Sequence, residues 1–195
     1  MPHTRLYLIT PALVEANTFA ATFEAALVAG DVASVLVRLA PGADARRVVA
    51  PLLEIATRHD VALLIEDDPR LAARLGVDGV HVTPEMVADA VEGFKGQRIV
   101  GAGGIGLRDD AMAAGEAGAD YVMFGEDEGA TLAATLERVD WWAPIFQTPC
   151  VAFAVSLEDV AALVAAGADF VALGAAVWDT PDPGAAVAAA MLALT

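Results

Sequence analysis

The feature that most constrains the fold is a regular alternation of short apolar, β-branched runs with longer alanine-rich amphipathic segments. The alternation occurs eight times, and no gap between the units is wide enough for a second domain. Parallel strands joined by helical crossovers need cover on both faces, and eight such units allow the sheet to close and lose its edges. The sequence therefore predicts an α/β fold, a single-domain (β/α)8 TIM barrel over residues 1–195, rather than an open doubly wound sheet.

The predicted strands are short runs that end where the chain turns into a helical segment. They are Arg5–Ile9, Ser34–Arg38, Val61–Ile65, Gly79–Val82, Arg98–Gly101, Tyr121–Phe124, Cys150–Phe153 and Phe170–Leu173. Helices are predicted in the intervals, and the last of them begins near Pro183 and runs to Leu194.

A short pattern recurs before three of the predicted strands. Gly76-Val77-Asp78, Gly118-Ala119-Asp120 and Gly167-Ala168-Asp169 each place a glycine at a helix end and an aspartate at a strand entrance. Strand entrances lie on the face of a barrel that serves stability, because catalysis takes place at the opposite face. We therefore expect these three carboxylates to cap loops.

The charge balance excludes two classes of partner. Eleven Lys and Arg against 27 Asp and Glu give a formal net charge of -16, whereas nucleic acid and anionic membranes are held mainly by protein cations. The chain shows neither a signal-peptide pattern nor an apolar run of about 18 residues, so we expect it to stay in the cytoplasm. The single cysteine, Cys150, lies in an apolar setting and is expected to be a buried small hydrophobe.

Candidate site residues follow the strands, at the carboxyl end of the predicted barrel. Glu66-Asp67-Asp68 offers hard oxygen ligands suited to Mg²⁺, and the alternative is that Asp67 or Asp68 caps the next helix. His81 ends a strand, where it would act as a general acid or base or serve as a buried structural histidine. The sequence leaves both choices open.

Two further features at strand ends also have two interpretations. Arg38 is placed either to bind an anion or to pair with a neighbouring carboxylate. The segment Gly101-Ala102-Gly103-Gly104 permits either close backbone approach to a ligand or simply a tight turn.

Taken in order, these residues resemble the thiamine phosphate synthase/TenI superfamily across nearly the whole chain. The similarity is carried by an opening strand, an arginine strand, an Asn-Asp-like metal segment, a Gly-Ala-Asp-Gly-Val-His-Leu-like stretch and an Ala-Gly-Ala-Asp-Tyr-Val strand. In this chain they are Leu6 to Thr10, Val35 to Leu39, Leu64 to Asp68, Gly76 to Val82 and Ala117 to Gly125.

The resemblance implies an activity and its site residues. Synthases of this family join a pyrimidine methyl diphosphate to a thiazole phosphate and release pyrophosphate with the aid of Mg²⁺, while TenI relatives aromatise the thiazole phosphate. The implied ligand is a small phosphorylated heterocycle, and self-association into a homo-oligomer is left open. Carried over, Asp67 matches one Mg²⁺ ligand, Arg38 matches the arginine of the second strand, and His81 matches the histidine of the fourth strand and is the candidate catalytic residue. Glu66, which replaces the family's Asn, is the candidate second metal ligand beside Asp67. Substrate contacts are expected from Arg38, Gly103, Ser156, Ala175 and Ala176.

Several positions depart from the family pattern, and they concentrate on the chemistry. Met86 takes the place of a second metal aspartate, and Gly103 takes the place of a serine. The acidic segment Glu126 to Gly129 replaces the family's Thr-x-Thr-Lys, and Ala154-Val155 replaces the glycine pair of a phosphate loop. Two hypotheses follow: a divergent enzyme with a degenerate active site, or a catalytically silent barrel that binds a ligand or a partner protein. The second predicts a mouth blocked by Met86, Val155 or paired acids.

Overall fold

The computed structural model describes residues 3–127 and 129–194, and its sheet is a closed barrel of parallel strands in the order β1 to β8. β1 pairs with both β2 and β8, which closes the sheet. The predicted barrel is confirmed, although the outermost residues of the predicted domain and Glu128 of the acidic segment lie outside the described residues. The strands are β1 (Arg5–Leu13), β2 (Val32–Leu39), β3 (Ala62–Glu66), β4 (Gly79–Val82), β5 (Ile99–Ala102), β6 (Tyr121–Phe124), β7 (Cys150–Ala154) and β8 (Phe170–Leu173).

Helices connect the strands and cover the outside of the barrel. They are α1 (Ala20–Val28), α2 (Ala45–Arg58), α3 (Pro69–Leu75), α4 (Val87–Phe94), α5 (Arg108–Glu116), α6 (Leu132–Trp142), α7 (Val160–Ala165), α8 (Ala175–Trp178) and α9 (Pro183–Ala193). Within the described residues, no helix combines the length and the apolar character needed to cross a membrane.

The end of the first strand was predicted four residues too early. β1 runs to Leu13 rather than to Ile9, because a register shift after Ile9 lets Ala12 and Leu13 pair with Arg38 and Leu39 of β2. The irregularity accommodates Pro11, which interrupts the apolar run in the sequence. The bounds of β4, β6 and β8 agree with the prediction.

The apolar core forms two layers, because successive side chains of a strand point to opposite faces. Alternate strand residues such as Leu36, Leu64 and Met123 form a cluster inside the barrel. The intervening residues pack in a separate, larger cluster with the helices. Cys150 belongs to this outer layer, where burial raises the pKa of its thiol to about 12. The expectation of a buried, small apolar cysteine is confirmed.

The three repeated aspartates close the bottom of the barrel. Asp78, Asp120 and Asp169 accept hydrogen bonds from the backbone N–H groups of Leu63, Val100 and Cys150 at 2.8, 2.8 and 2.9 Å. The backbone N–H of each aspartate donates in return to the carbonyl oxygen of its partner, Leu63, Val100 or Cys150. Their predicted structural role is confirmed. The motif that recurs in the sequence forms the same pair of hydrogen bonds between neighbouring strands at three places.

Candidate functional site

A cavity of about 180 Å³ opens at the carboxyl end of the barrel. It is lined by Arg38, Glu66, Asp67, His81, Val82, Thr83, Gly103, Gly104 and Glu126. Five of the predicted site residues therefore meet in one place, because the carboxyl ends of parallel strands form a single rim. The other three, Ser156, Ala175 and Ala176, follow β7 and β8 and are not part of this lining.

Arg38 is paired with a neighbouring carboxylate. Its Nε lies 2.6 Å from Glu66 Oε1, and both side chains are partly exposed. The backbone N–H of Arg38 donates to Thr10 Oγ1 at 3.0 Å, which fixes the end of β2. A guanidinium has five N–H donors, so a contact through Nε leaves its terminal nitrogens able to meet an anionic ligand. The structure thus shows the ion pair and is compatible with the anion contact.

Asp67 and Asp68 have separate roles. Asp68 Oδ1 accepts from the backbone N–H of Leu71 at 2.8 Å and caps α3, as one of the two sequence interpretations had it. Asp67 adopts a left-handed backbone with φ of 57°, and its N–H donates to the His81 carbonyl oxygen at 2.9 Å. This backbone conformation is uncommon outside glycine, asparagine and aspartate. It places Asp67, rather than Asp68, in the lining of the cavity.

The donor set fits Mg²⁺ only when a ligand supplies further oxygens. Within residues 3–127 and 129–194, no group of three or more His, Cys, Asp or Glu side chains could hold a metal ion. Mg²⁺ commonly takes one or two carboxylates together with waters and substrate phosphates. Asp67 and Glu66 provide that number of carboxylates, so the residues suit an ion whose remaining ligands are waters or the phosphate oxygens of a bound molecule.

Met86 and Val155 do not block the cavity. Met86 packs against the core and lines a separate groove between α3 and α4, together with Asp67 and Asp89. Val155 is 63% exposed and is not part of the cavity lining. The prediction of a mouth blocked by Met86 or Val155 is therefore wrong, whereas acids, the third blocking group that the silent-barrel hypothesis names, do line this cavity.

His81 is buried, and both of its ring nitrogens are engaged. Nδ1 lies 2.8 Å from the Tyr121 hydroxyl, which lies 2.8 Å from the Tyr7 hydroxyl. Nε2 lies 3.1 Å from Glu126 Oε1 and 3.2 Å from Oε2, and the two side chains are 6% and 10% exposed. A hydrogen-bonded chain of four side chains therefore runs from the barrel interior to the mouth.

Glu126 is ionised in this position. Burial opposes its ionisation, but hydrogen bonding and charge attraction from His81 and the N–H of Gly104 outweigh that effect, so that its pKa lies below the ordinary value. The Gly104 N–H donates to Oε1 at 2.6 Å. The carboxylate thus occupies a backbone donor at the mouth.

Gly103 leaves room for this carboxylate. A Cβ atom at position 103 would lie 1.8 Å from Glu126 Oε1 and 2.0 Å from His81 Nε2. The sequence had suggested close backbone approach to a ligand or a tight turn for this segment. Neither interpretation included room for a carboxylate as the reason for glycine at 103. Sequence reasoning also did not select Glu126 as a site residue, although its acidic character directly after β6 was a visible departure from the family pattern.

The far side of the rim carries the remaining predicted contacts. The Ser156 N–H donates to Asp159 Oδ2 at 3.0 Å, so this serine begins the turn before α7. Ala175 and Ala176 open α8 directly after β8, in the first turn of a helix, where N–H groups have no acceptor within the helix. Their predicted contact with phosphate stays a prediction.

Comparison with known proteins identifies the family. The sequence model of the thiamine monophosphate synthase family matches residues 6–177. The chain belongs to this family. A thiamine-phosphate synthase of Rhodospirillum centenum is 43% identical over 201 residues, which cover 96% of both chains. Another, of Hyphomonas neptunium, is 40% identical over 207 residues, which cover 96% of this chain and 92% of its own.

Solved structures support the fold of this thiamine monophosphate synthase family member. A thiamine phosphate pyrophosphorylase from Pyrococcus furiosus has a TM-score of 0.85 at 22% identity, with 97% of this chain and 95% of that chain covered. A 3-hexulose-6-phosphate synthase from Salmonella typhimurium has a TM-score of 0.74 at 16% identity, with 97% and 98% covered. At these identities the similarity shows a shared barrel.

The charge of the cavity departs from what a phosphate-handling family suggests. Its lining carries the carboxylates of Glu66, Asp67 and Glu126 against the single guanidinium of Arg38. A bare anion would be repelled from such a cavity, because these charges lie partly out of water. A phosphate group therefore needs a cation or backbone donors to bind near these carboxylates.

Proposed function

We propose that this chain is a thiamine-phosphate synthase, which joins an aminopyrimidine methyl diphosphate to a thiazole phosphate and releases pyrophosphate. The observation that carries the proposal is 43% identity, across 96% of both chains, to a thiamine-phosphate synthase of Rhodospirillum centenum. The cavity with Arg38, Asp67 and His81 supports it, because all three stand at strand ends on the catalytic face of the barrel. We also propose that the protein acts in the cytoplasm.

The leaving group sets the main chemical demand. Pyrophosphate departs with the bonding electron pair, so negative charge develops on its oxygens and has to be neutralised. Asp67 and Glu66 are the residues that would hold Mg²⁺, which supplies positive charge to the diphosphate when bound. The terminal nitrogens of Arg38 and the first amides of α8 would hold phosphate oxygens.

The metal site is degenerate in this proposal. Met86 provides a thioether, which is a poor ligand for Mg²⁺, and its side chain packs on the core. Of the two remaining carboxylates, that of Glu66 is already paired with Arg38. We therefore expect catalysis to need a higher Mg²⁺ concentration than a site with two unpaired carboxylates would need.

The test is formation of thiamine phosphate from the two precursors, measured over a range of Mg²⁺ concentrations. Asp67→Asn is expected to lower kcat/KM about 100-fold, since it removes a carboxylate that acts on the leaving group. Asp68→Asn is the matched control, because the amide oxygen can still accept from Leu71 and α3 keeps its cap. Equal losses in both variants would contradict a role of Asp67 at the metal.

A second candidate function is aromatisation of the thiazole phosphate, which needs proton transfer rather than a diphosphate leaving group. The contact between His81 and Glu126 at 3.1 Å favours it, because a histidine paired with a carboxylate can accept and return a proton. Turnover of a thiazole phosphate tautomer without coupling to the pyrimidine would select this function. A folded protein that turns over neither substrate would support the silent barrel.

A further inference from the structure

The Glu126 carboxylate is built into the mouth rather than left on its surface. It is 10% exposed and is held by the Gly104 N–H at 2.6 Å and by His81 Nε2 at 3.1 Å. The missing Cβ at Gly103 creates the space it fills. The two donors and the space beside Gly103 together define one position for the Glu126 carboxylate.

The hydrogen-bonded chain behind Glu126 has one direction when His81 is neutral. An ionised carboxylate only accepts, so His81 Nε2 carries the proton and donates to Glu126. Nδ1 then accepts from the Tyr121 hydroxyl, which in turn accepts from the Tyr7 hydroxyl. Both nitrogens of His81 are hydrogen-bonded in this arrangement, so His81 is a positioning residue for Glu126 in the synthase reaction. Proton transfer by His81 belongs to the second candidate function.

Glu126 keeps acceptor capacity for a ligand. A carboxylate offers about four lone-pair positions, and the Gly104 and His81 donors do not fill them. Glu126 also lines the cavity, together with the carboxylates of Glu66 and Asp67. Arg38, the guanidinium in that lining, is already paired with Glu66 at 2.6 Å. Glu126 itself therefore favours an N–H donor of the ligand and disfavours a phosphate oxygen, whereas Arg38, Glu66 and Asp67 remain the groups proposed for the diphosphate and its Mg²⁺.

We infer that Glu126 is the specificity-determining residue that accepts a hydrogen bond from the amino group of the substrate's heterocycle. The ring would lie against Glu126, and its phosphate groups would lie away from it. The assignment of the heterocycle as an aminopyrimidine rests on the proposed function. Recognition by a buried carboxylate gives strong discrimination, because a ligand without the N–H leaves that acceptor unpaired.

The experiment measures binding by calorimetry with two probes that carry no diphosphate. One is the aminopyrimidine alcohol and the other is its analogue with hydrogen in place of the amino group. Wild type is expected to bind the amino compound at least about 10-fold more tightly than the analogue. In Glu126→Gln, the preference is expected to fall below about threefold, because an amide is a weaker acceptor than a carboxylate.

Asp127→Asn is the matched control, since it removes a neighbouring carboxylate that is not part of the cavity lining. It should keep the wild-type preference. Thiazole phosphate should bind to Glu126→Gln at least as tightly as to wild type, because the substitution removes a negative charge from the cavity lining. If Glu126→Gln does not fold, the comparison of the two probes on wild type can still overturn the inference. Equal affinity for them, or an unchanged preference in folded Glu126→Gln, would overturn the inference.

These outcomes are separable from those of the proposed function. A preference for the amino compound without any turnover would contradict the synthase proposal and leave the role of Glu126 standing. Turnover with equal affinity for both probes would support the synthase proposal and contradict the role of Glu126.

Discussion

At the residue scale, two departures from the family pattern belong together. Gly103 stands where the family has serine, and Glu126 opens the acidic segment that replaces the family's Thr-x-Thr-Lys. The Cβ of any larger residue at 103 would lie 1.8 Å from Glu126 Oε1. The glycine and the glutamate are thus one structural change at the mouth, linked through His81.

This coupling predicts a non-additive double mutant. Gly103→Ser is expected to lower the free energy of unfolding by about 2–3 kcal/mol, because the buried pair of His81 and Glu126 has to move. In a Glu126→Ala background the same substitution is expected to cost about 1 kcal/mol less, because His81, the other close neighbour of position 103, can shift into the space that the carboxylate leaves. Urea unfolding of the four proteins measures the difference.

The control for this cycle is Gly106→Ser. A Cβ atom at 106 would have Asp110 Oδ2 at 4.0 Å as its nearest neighbour, so this change should be close to neutral in both backgrounds. Additive effects of Gly103→Ser and Glu126→Ala would show that the two positions are independent.

Part of the site could be predicted at this scale, for a physical reason. Arg38, Asp67 and His81 follow different strands, and a closed parallel barrel brings all strand ends to one rim. The contact of His81 with Glu126 joins residues 45 apart in sequence. Such a contact depends on side-chain conformation and on the space at Gly103, and no local sequence pattern encodes either.

At the scale of elements, the ties at the bottom of the barrel connect each aspartate to the preceding odd-numbered strand. Each aspartate is the residue directly before an even-numbered strand: Asp78 before β4, Asp120 before β6 and Asp169 before β8. Their carboxylates accept from β3, β5 and β7 in that order. Each carboxylate satisfies an N–H group at or beside the start of a strand. The repeat therefore sets the alignment of strand pairs.

Asp169→Ala tests one of these ties. It is expected to lower the free energy of unfolding by about 1–3 kcal/mol, because the backbone N–H of buried Cys150 loses its acceptor. Asp169→Asn should cost less, since the amide oxygen still accepts. Urea unfolding compares the two variants, and equal losses would show that the negative charge, rather than the hydrogen bond, matters.

Element positions were predictable because hydrophobic periodicity and glycine at helix ends both mark them. β4, β6 and β8 follow such marks directly and have the predicted bounds. The end of β1 differs from the prediction, because the register shift after Ile9 depends on pairing with β2, which is a contact between residues distant in sequence.

At the scale of the whole molecule, the net charge of -16 is the dominant electrostatic feature. Ion pairs such as Arg5–Asp31 and Arg108–Glu137 are largely exposed, and exposed pairs contribute little to stability. Repulsion among the carboxylates therefore outweighs the attraction from these pairs. Self-repulsion of this kind destabilises the compact state.

Salt should consequently stabilise the protein at pH 7. Raising NaCl from 0.01 to 0.1 M shortens the Debye length from about 30 to about 10 Å and screens the repulsion between distant carboxylates. We expect Tm to rise by about 3 °C, which corresponds to roughly 1 kcal/mol for a chain of this size. The same titration near the isoelectric point of about 4.3 is the control, because the net charge there is close to zero and the rise should vanish. A Tm that falls with salt at pH 7 would show that the ion pairs, and not the repulsion, dominate.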